Sequence, residues 1–139
     1  MESALLPVFR ALRAADVDYL VVGGVAVVLH GHLRVTGDLD LVLHLAEENV
    51  RRAMQALAGL VFTLWSPHGD GMQIDVFAQE PFDFASARAR AEHIEIDDAV
   101  IAVASISDLV AMKRIAGRAK DTDDIVALER IAKMRRSDG

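Results

Sequence analysis

The apolar positions of this chain change period several times, and each change predicts an element. In residues 3–15, Leu5, Leu6, Val8, Phe9 and Leu12 recur near helical spacing, with Pro7 early enough to be tolerated. Asp16 to Asp18 close that helix. Residues 19–22 follow as an apolar run rich in β-branched side chains, which reads as a buried strand. Gly23-Gly24 interrupt it, residues 25–29 make a short apolar helix, and residues 39–43 form a second strand. A helix is predicted over 47–58, with Val50, Ala53, Met54 and Leu57 inward, Glu47-Glu48 and Arg51-Arg52 in solvent, and Gly59 as its stop. As a crossover between strands it suits a βαβ unit. Residues 60–66 and 72–78 alternate as strands around the turn cluster 67–71, which predicts a β-hairpin and gives Asp70 a structural place in its turn.

Residues 83–92 read as a short helix or a loop, with Arg88 and Arg90 able to serve a phosphate but more simply placed on a solvated face. Residues 93–97 and 100–104 read as two strands around Asp97-Asp98. Ser105 and Asp108 have the spacing of a capping box, and the helix they open carries Leu109, Met112 and Ile115 inward and stops at Gly117. A last helix buries Ile125, Leu128 and Ile131, and the terminal RRSDG is expected to fray. The predicted class is α+β with an α/β-type core. A mixed, partly antiparallel twisted sheet is flanked by helices in one domain over 1–139, with residues 105–139 as a helical pair packed on the core.

Composition narrows the class. With 139 residues, 53% of them hydrophobic and 26% charged, the chain suits one folded domain and not two. Aromatics are 5%, so the core is aliphatic. The longest apolar run, 19–29, is too short to span a bilayer, and the first residues carry no hydrophobic leader pattern, so neither a membrane nor a secretory route is expected. The absence of cysteine excludes disulfides, thiolate metal sites and a cysteine nucleophile, and suits the cytoplasm. A net charge of −6 argues against gripping long duplex nucleic acid, while leaving room for a local basic patch or a metal-chelated nucleotide.

The candidate chemistry lies in residues 19–43. Glycines at 23 and 24 permit φ > 0 and close approach of a ligand, and the free N–H groups of the helix behind them suit phosphate. Asp38 and Asp40, at i and i+2 of a strand, point to one face about 6–7 Å apart. Two such carboxylates repel and lose solvation, and a divalent cation relieves both costs. Mg²⁺ is typically held by one or two carboxylates plus substrate phosphates. A phosphate cradle followed by a carboxylate pair is equipment for metal-assisted phosphoryl or nucleotidyl transfer.

The stretch GGVAVVLHGHLRVTGDLDL resembles the signature of the polymerase-β-type nucleotidyltransferase superfamily, hG[GS] followed by Dh[DE]h. Its finer form is similar to the small bacterial branch that contains AbiEii-like toxins and aminoglycoside-type nucleotidyltransferases. The resemblance implies the nucleotidyltransferase fold, a magnesium or manganese cofactor, and transfer of a nucleoside monophosphate from a triphosphate such as ATP to an acceptor hydroxyl. It implies a third carboxylate on a later strand, matched by Asp75 in MQIDVFA; the other reading of Asp75 is an edge-strand carboxylate facing water. It implies that Arg34, in RVTGDLD, contacts substrate, with Thr36 ordering the approach to Asp38. The stretch from Lys113 to Ile125 is similar to a K…R-x-K-D-x-x-D-I element, which would turn Lys113, Arg118 and Lys120 toward nucleotide phosphates. Asp121 and Asp124 belong either to that element or simply to the helix cap and dipole. Between glycines and carboxylates, His30 and His32 lack a third nitrogen or sulfur ligand; one is expected to pack and the other to be solvated.

These readings predict two-metal chemistry, with Asp38 and Asp40 on the nucleotide-bound ion and Asp38, Asp40 and Asp75 on a second ion near the acceptor hydroxyl. The acceptor stays open among tRNA, protein and small molecules. The competing expectation is a catalytically silent module acting as a toxin–antitoxin or regulatory partner, since little chain remains beyond the core to recognise an acceptor. For the same reason a homodimer or a partner chain is expected to complete the cleft.

Overall fold

A computed structural model describes residues 2–60 and 73–138. Among these, α1 is Glu2–Ala14, β1 Tyr19–Val22, α2 Gly23–His30, β2 Asp38–Leu43, α3 Glu47–Ala58, β3 Gln73–Val76, α4 Phe84–Arg90, β4 Glu92–Ile96, β5 Ala99–Val103, α5 Ile106–Ala116 and α6 Asp121–Asp138. The predicted strand 60–66, its hairpin turn and Asp70 fall largely or wholly on residues 61–72, outside the described residues.

The five described strands form one sheet in the order β3-β2-β1-β5-β4. β1 pairs antiparallel with β2 and parallel with β5, β2 pairs parallel with β3, and β4 and β5 form an antiparallel hairpin. The class is the predicted α+β with a mixed sheet. Parallel pairing of β2 with β3 needs a crossover, and the connection between them contains α3, as the βαβ reading expected. α1 packs on α3 and β5, whereas α2 packs on β1 and β2 and meets α5 and α6. All four residues of β1 are buried, which is why that strand reads as continuously apolar. The β4–β5 turn is Asp97-Asp98, with Asp97 at φ 54. No helix among the described residues is long and apolar enough to cross a membrane.

Two cap predictions are realised. Ser105 Oγ accepts the Asp108 N–H at 3.1 Å and donates to the Asp108 carboxylate at 2.9 Å. Gly117 ends α5 at φ 64. The stretch after residue 83 resolves to helix α4, capped by Asp83, which accepts the Ser86 N–H at 3.1 Å.

Two inward assignments are corrected. Met54 is 43% exposed and Ile115 82% exposed. In α3 the fully buried positions are Asn49 and Ala53, one turn apart, which rotates Met54 outward. Asn49 is buried because its amide ties two strand ends together. Its Oδ1 accepts the Asp18 N–H at 2.8 Å, and its Nδ2 donates to the carbonyls of Asp18 and His44 at 2.9 and 2.8 Å. Ile115 projects at the mouth of a cavity beside α5.

Candidate active site

β2 begins at the site. Asp38 is exposed and Asp40 half-buried, while Leu39 and Leu41 between and after them are fully buried. The alternation expected of i, i+2 carboxylates is thus realised. Val22, the last residue of β1, pairs with Asp40, so the chain enters α2 directly above that carboxylate. Gly23 and Gly24 form the first turn of α2 and not a turn preceding it. Gly23 holds φ +71, and a Cβ there would lie 2.1 Å from Asp40 Oδ2. A Cβ on Gly24 would lie 2.5 Å from Thr36 Oγ1 and 2.9 Å from Arg34 Nη2. A methyl at Gly23 would meet the Asp40 carboxylate in a left-handed backbone, and one at Gly24 would have to displace Thr36 and the tip of Arg34.

β3 is the outermost of the described strands on its side of the sheet, in parallel register with β2, and Asp75 pairs directly with Asp40. Asp75 is half-buried, and Gln73 Nε2 donates to its Oδ1 at 2.8 Å. Burial pushes the Asp40 carboxyl up to about 6, helped by the charge and hydrogen bonding of Asp75 and by Asp38, with Lys113 pulling the other way. No three His, Asp or Glu side chains among the described residues converge closely enough to cage a cation alone. Mg²⁺ does not need such a cage, since it retains waters and takes the rest of its octahedron from substrate phosphates. The hard, anionic oxygens of Asp40 and Asp75, with Asp38 at the rim, suit it chemically.

The cations are arranged differently from the expectation of free phosphate ligands. Arg34 donates through Nε and Nη2 to the two Asp124 oxygens, both at 2.9 Å. Lys113 is buried and bridges Asp121 at 3.2 Å and Asp124 at 2.9 Å. Arg118 donates to Asp121 through Nε at 2.7 Å and Nη2 at 3.2 Å. Asp121 and Asp124 are 2% and 3% exposed. The Arg118 hydrogen bond, with Lys113, holds the Asp121 carboxyl below its ordinary range against desolvation. At Asp124 burial works to raise the carboxyl, but hydrogen bonds from Lys113 and Arg34 outweigh it and the net direction is down. This network pins the start of α6 to α5 and to the segment before β2. The spacing of the two aspartates on α6 left their part open, because partners 90 residues apart are invisible in one dimension.

Every sequence-predicted site residue nevertheless lines one cleft of about 650 Å³: Gly23, Gly24, Arg34, Thr36, Asp38, Asp40, Asp75, Lys113, Arg118 and Lys120. His32 joins it, 3.9 Å from Asp124. His30 is the packed histidine; it is 3% exposed, with Nε2 2.8 Å from the Ala104 carbonyl oxygen.

The fold is similar to that of an antigenic nucleotidyltransferase-like protein from Paracoccidioides brasiliensis, known from a crystal structure. The TM-score is 0.69 at 19% identity, over 89% of this chain and 73% of that one. Among curated proteins none matches. The family described as "Nucleotidyltransferase of unknown function" (DUF6036) matches residues 4–134, nearly the whole chain. With its glycine-led helix set over paired carboxylates, the chain belongs to this nucleotidyltransferase family.

Proposed function

We propose that the protein is a metal-dependent nucleotidyltransferase of the small AbiEii-like and aminoglycoside-nucleotidyltransferase-like branch, moving a nucleoside monophosphate from a triphosphate to an acceptor hydroxyl. The observation that carries this reading is the in-register pairing of Asp40 with Asp75 under Gly23. A catalytic carboxylate set explains why charge is kept where it costs stability. Asp38, Asp40 and Asp75 would hold Mg²⁺ or Mn²⁺, which when bound supplies Lewis-acid charge at the phosphate oxygens. The first turn of α2 offers backbone N–H groups to the triphosphate, with Gly23 and Gly24 keeping the approach open. Arg34, Lys113, Arg118 and Lys120 offset charge on the departing pyrophosphate. In the transfer the acceptor oxygen bonds to the α-phosphorus, the bond from that phosphorus to pyrophosphate breaks, and the hydroxyl proton passes to Asp75. Calorimetry with ATP and Mg²⁺ tests the reading; wild type should bind and Asp40→Ala should not. Equal binding by both proteins would overturn it.

One observation favours a second reading, a silent member acting as a toxin–antitoxin or regulatory partner. Arg34, Lys113 and Arg118 are already engaged in ion pairs with Asp121 and Asp124. Labelled triphosphates offered with tRNA, protein and small-molecule hydroxyls separate the two, since only the enzyme releases pyrophosphate.

A further inference from the structure

A groove of about 700 Å³ runs between α5 and α6, which are joined by residues 117–120 and packed on each other. It shares no described lining residue with the carboxylate cleft, into which the same two helices turn Lys113, Asp121 and Asp124. The groove has its own stripe on each helix: Ile106, Val110 and Arg114 at i, i+4 and i+8 on α5, and Val126, Arg130 and Lys133 at i, i+4 and i+7 on α6. A helix packed on one side needs one such stripe, and a second at the same spacing is a surface that a further helix fits.

The floor is aliphatic. Val110 is buried at its base, Ile106 is half-buried on the same helix, and Val126 stands 51% exposed on the opposite wall. The rim is cationic. Arg130, Lys133 and Arg136 are exposed at i, i+3 and i+6 on α6, with Arg114 exposed on α5. Glu129, the one carboxylate among the described lining residues, is already paired with Arg114. Four cationic side chains thus gather on one groove of a chain whose net charge is −6. A local excess of that sign steers and selects a partner of the opposite sign.

We infer that this groove docks an acidic amphipathic helix of a partner protein, its apolar face on the aliphatic floor and its carboxylates along the cationic rim. An apolar groove that takes one face of a helix is an established mode of recognition, and the rim adds the choice of sign. Residues three apart on α6 stand about 5–6 Å from one another, the spacing at which a helix presents carboxylates at i, i+3 and i+4. Two other occupants match less of the groove. A nucleic-acid strand would meet the cations, but Ile106, Val110 and Val126 offer its bases no ring to stack on. A second copy joined groove to groove would set these cations against the same cations. The inference stands apart from the nucleotidyl-transfer reading, since groove and cleft lie on different faces of the helix pair.

The probe is a labelled synthetic helix of about three turns, the length of α5, with leucines on one face and glutamates flanking them. Two control peptides carry lysines in place of the glutamates, or glutamines in place of the leucines. By fluorescence anisotropy the first peptide should bind wild type about 10-fold or more tightly than either control. The double variant Arg130→Glu/Lys133→Glu, altered at exposed side chains outside the cleft, should weaken that binding about 10-fold and bind the lysine peptide better than wild type does. Arg136→Glu gives an independent reading in the same direction if the double variant folds poorly. Equal binding of the three peptides, no binding of any, or binding that survives charge reversal would overturn the inference. So would a single-stranded RNA oligonucleotide that binds wild type more tightly than the glutamate peptide and is lost in the same variants, or a wild-type dimer in sedimentation velocity that those variants dissociate.

Discussion

Asp40 offers a test in which function and stability move in opposite directions. Its carboxyl is raised from an ordinary 3.8 to about 6 by burial and by the neighbouring Asp75 and Asp38. At neutral pH it is ionised at a cost of about 3 kcal/mol, by the conversion of a pKa difference into free energy. Partial solvent access trims that to about 1–2 kcal/mol. In Asp40→Asn the charge is gone, and the new amide can donate to Asp75 where two carboxylates had repelled. The variant should therefore be more stable than wild type by about 1–2 kcal/mol at pH 7.5, a rise in Tm of about 3–8 °C. The sign follows from linkage. A carboxyl raised in the folded state leaves stability intact below its unfolded pKa and erodes it as pH climbs through the folded value. At pH 5 wild-type Asp40 is mostly protonated in the fold but ionised when unfolded, so the advantage of the variant should fall to about half, about 0.5–1 kcal/mol, and vanish only below about pH 4. Thermal unfolding followed by circular dichroism at the two pH values measures both differences. The same variant should lose Mg²⁺-dependent ATP binding, and Mg²⁺ should raise the Tm of wild type alone. A variant less stable than wild type at pH 7.5, or equally stabilised at pH 5 and 7.5, would refute the assignment of strain to the carboxylate cluster.

Gly23→Ala, whose Cβ would meet Asp40 Oδ2 at 2.1 Å in a left-handed backbone, should cost about 1–3 kcal/mol and abolish Mg²⁺-dependent nucleotide binding, read by urea titration and calorimetry. Gly24→Ala lacks the backbone penalty but displaces Thr36 and Arg34, so nucleotide affinity should fall about 10-fold with a smaller loss of stability. Lys113→Met leaves Asp121 and Asp124, 2% and 3% exposed, with one guanidinium apiece, and should lower the urea unfolding free energy by about 2–4 kcal/mol. Asp121 and Asp124 lie below the ordinary carboxylate range, so the stability they contribute is complete above about pH 4 and lost as pH falls further. A pH series of Tm values should therefore fall on the acid side, and Lys113→Met should flatten that limb.

Much of the molecule was legible in one dimension. Period, glycine and caps located β1, β2, α2, the Asp97-Asp98 hairpin and both ends of α5, because each is set by local backbone chemistry. The i, i+2 spacing fixed Asp38 and Asp40 on one face, since strand alternation allows nothing else. What the sequence left open was decided by contacts between distant segments. The spacing of MQIDVFA fits an edge carboxylate facing water as well as a site residue; parallel register with β2 brings Asp75 beside Asp40. Arg34 and Lys113 read as free cations until α6 supplies Asp124 to both. Asn49, Met54 and Ile115 sit in amphipathic patterns whose inward side depends on how each helix is rolled on the sheet, a quantity set by packing and not by period. Local chemistry thus wrote the parts of the site, while pairing across the sheet and between α5 and α6 chose which charges share a cleft and which cancel.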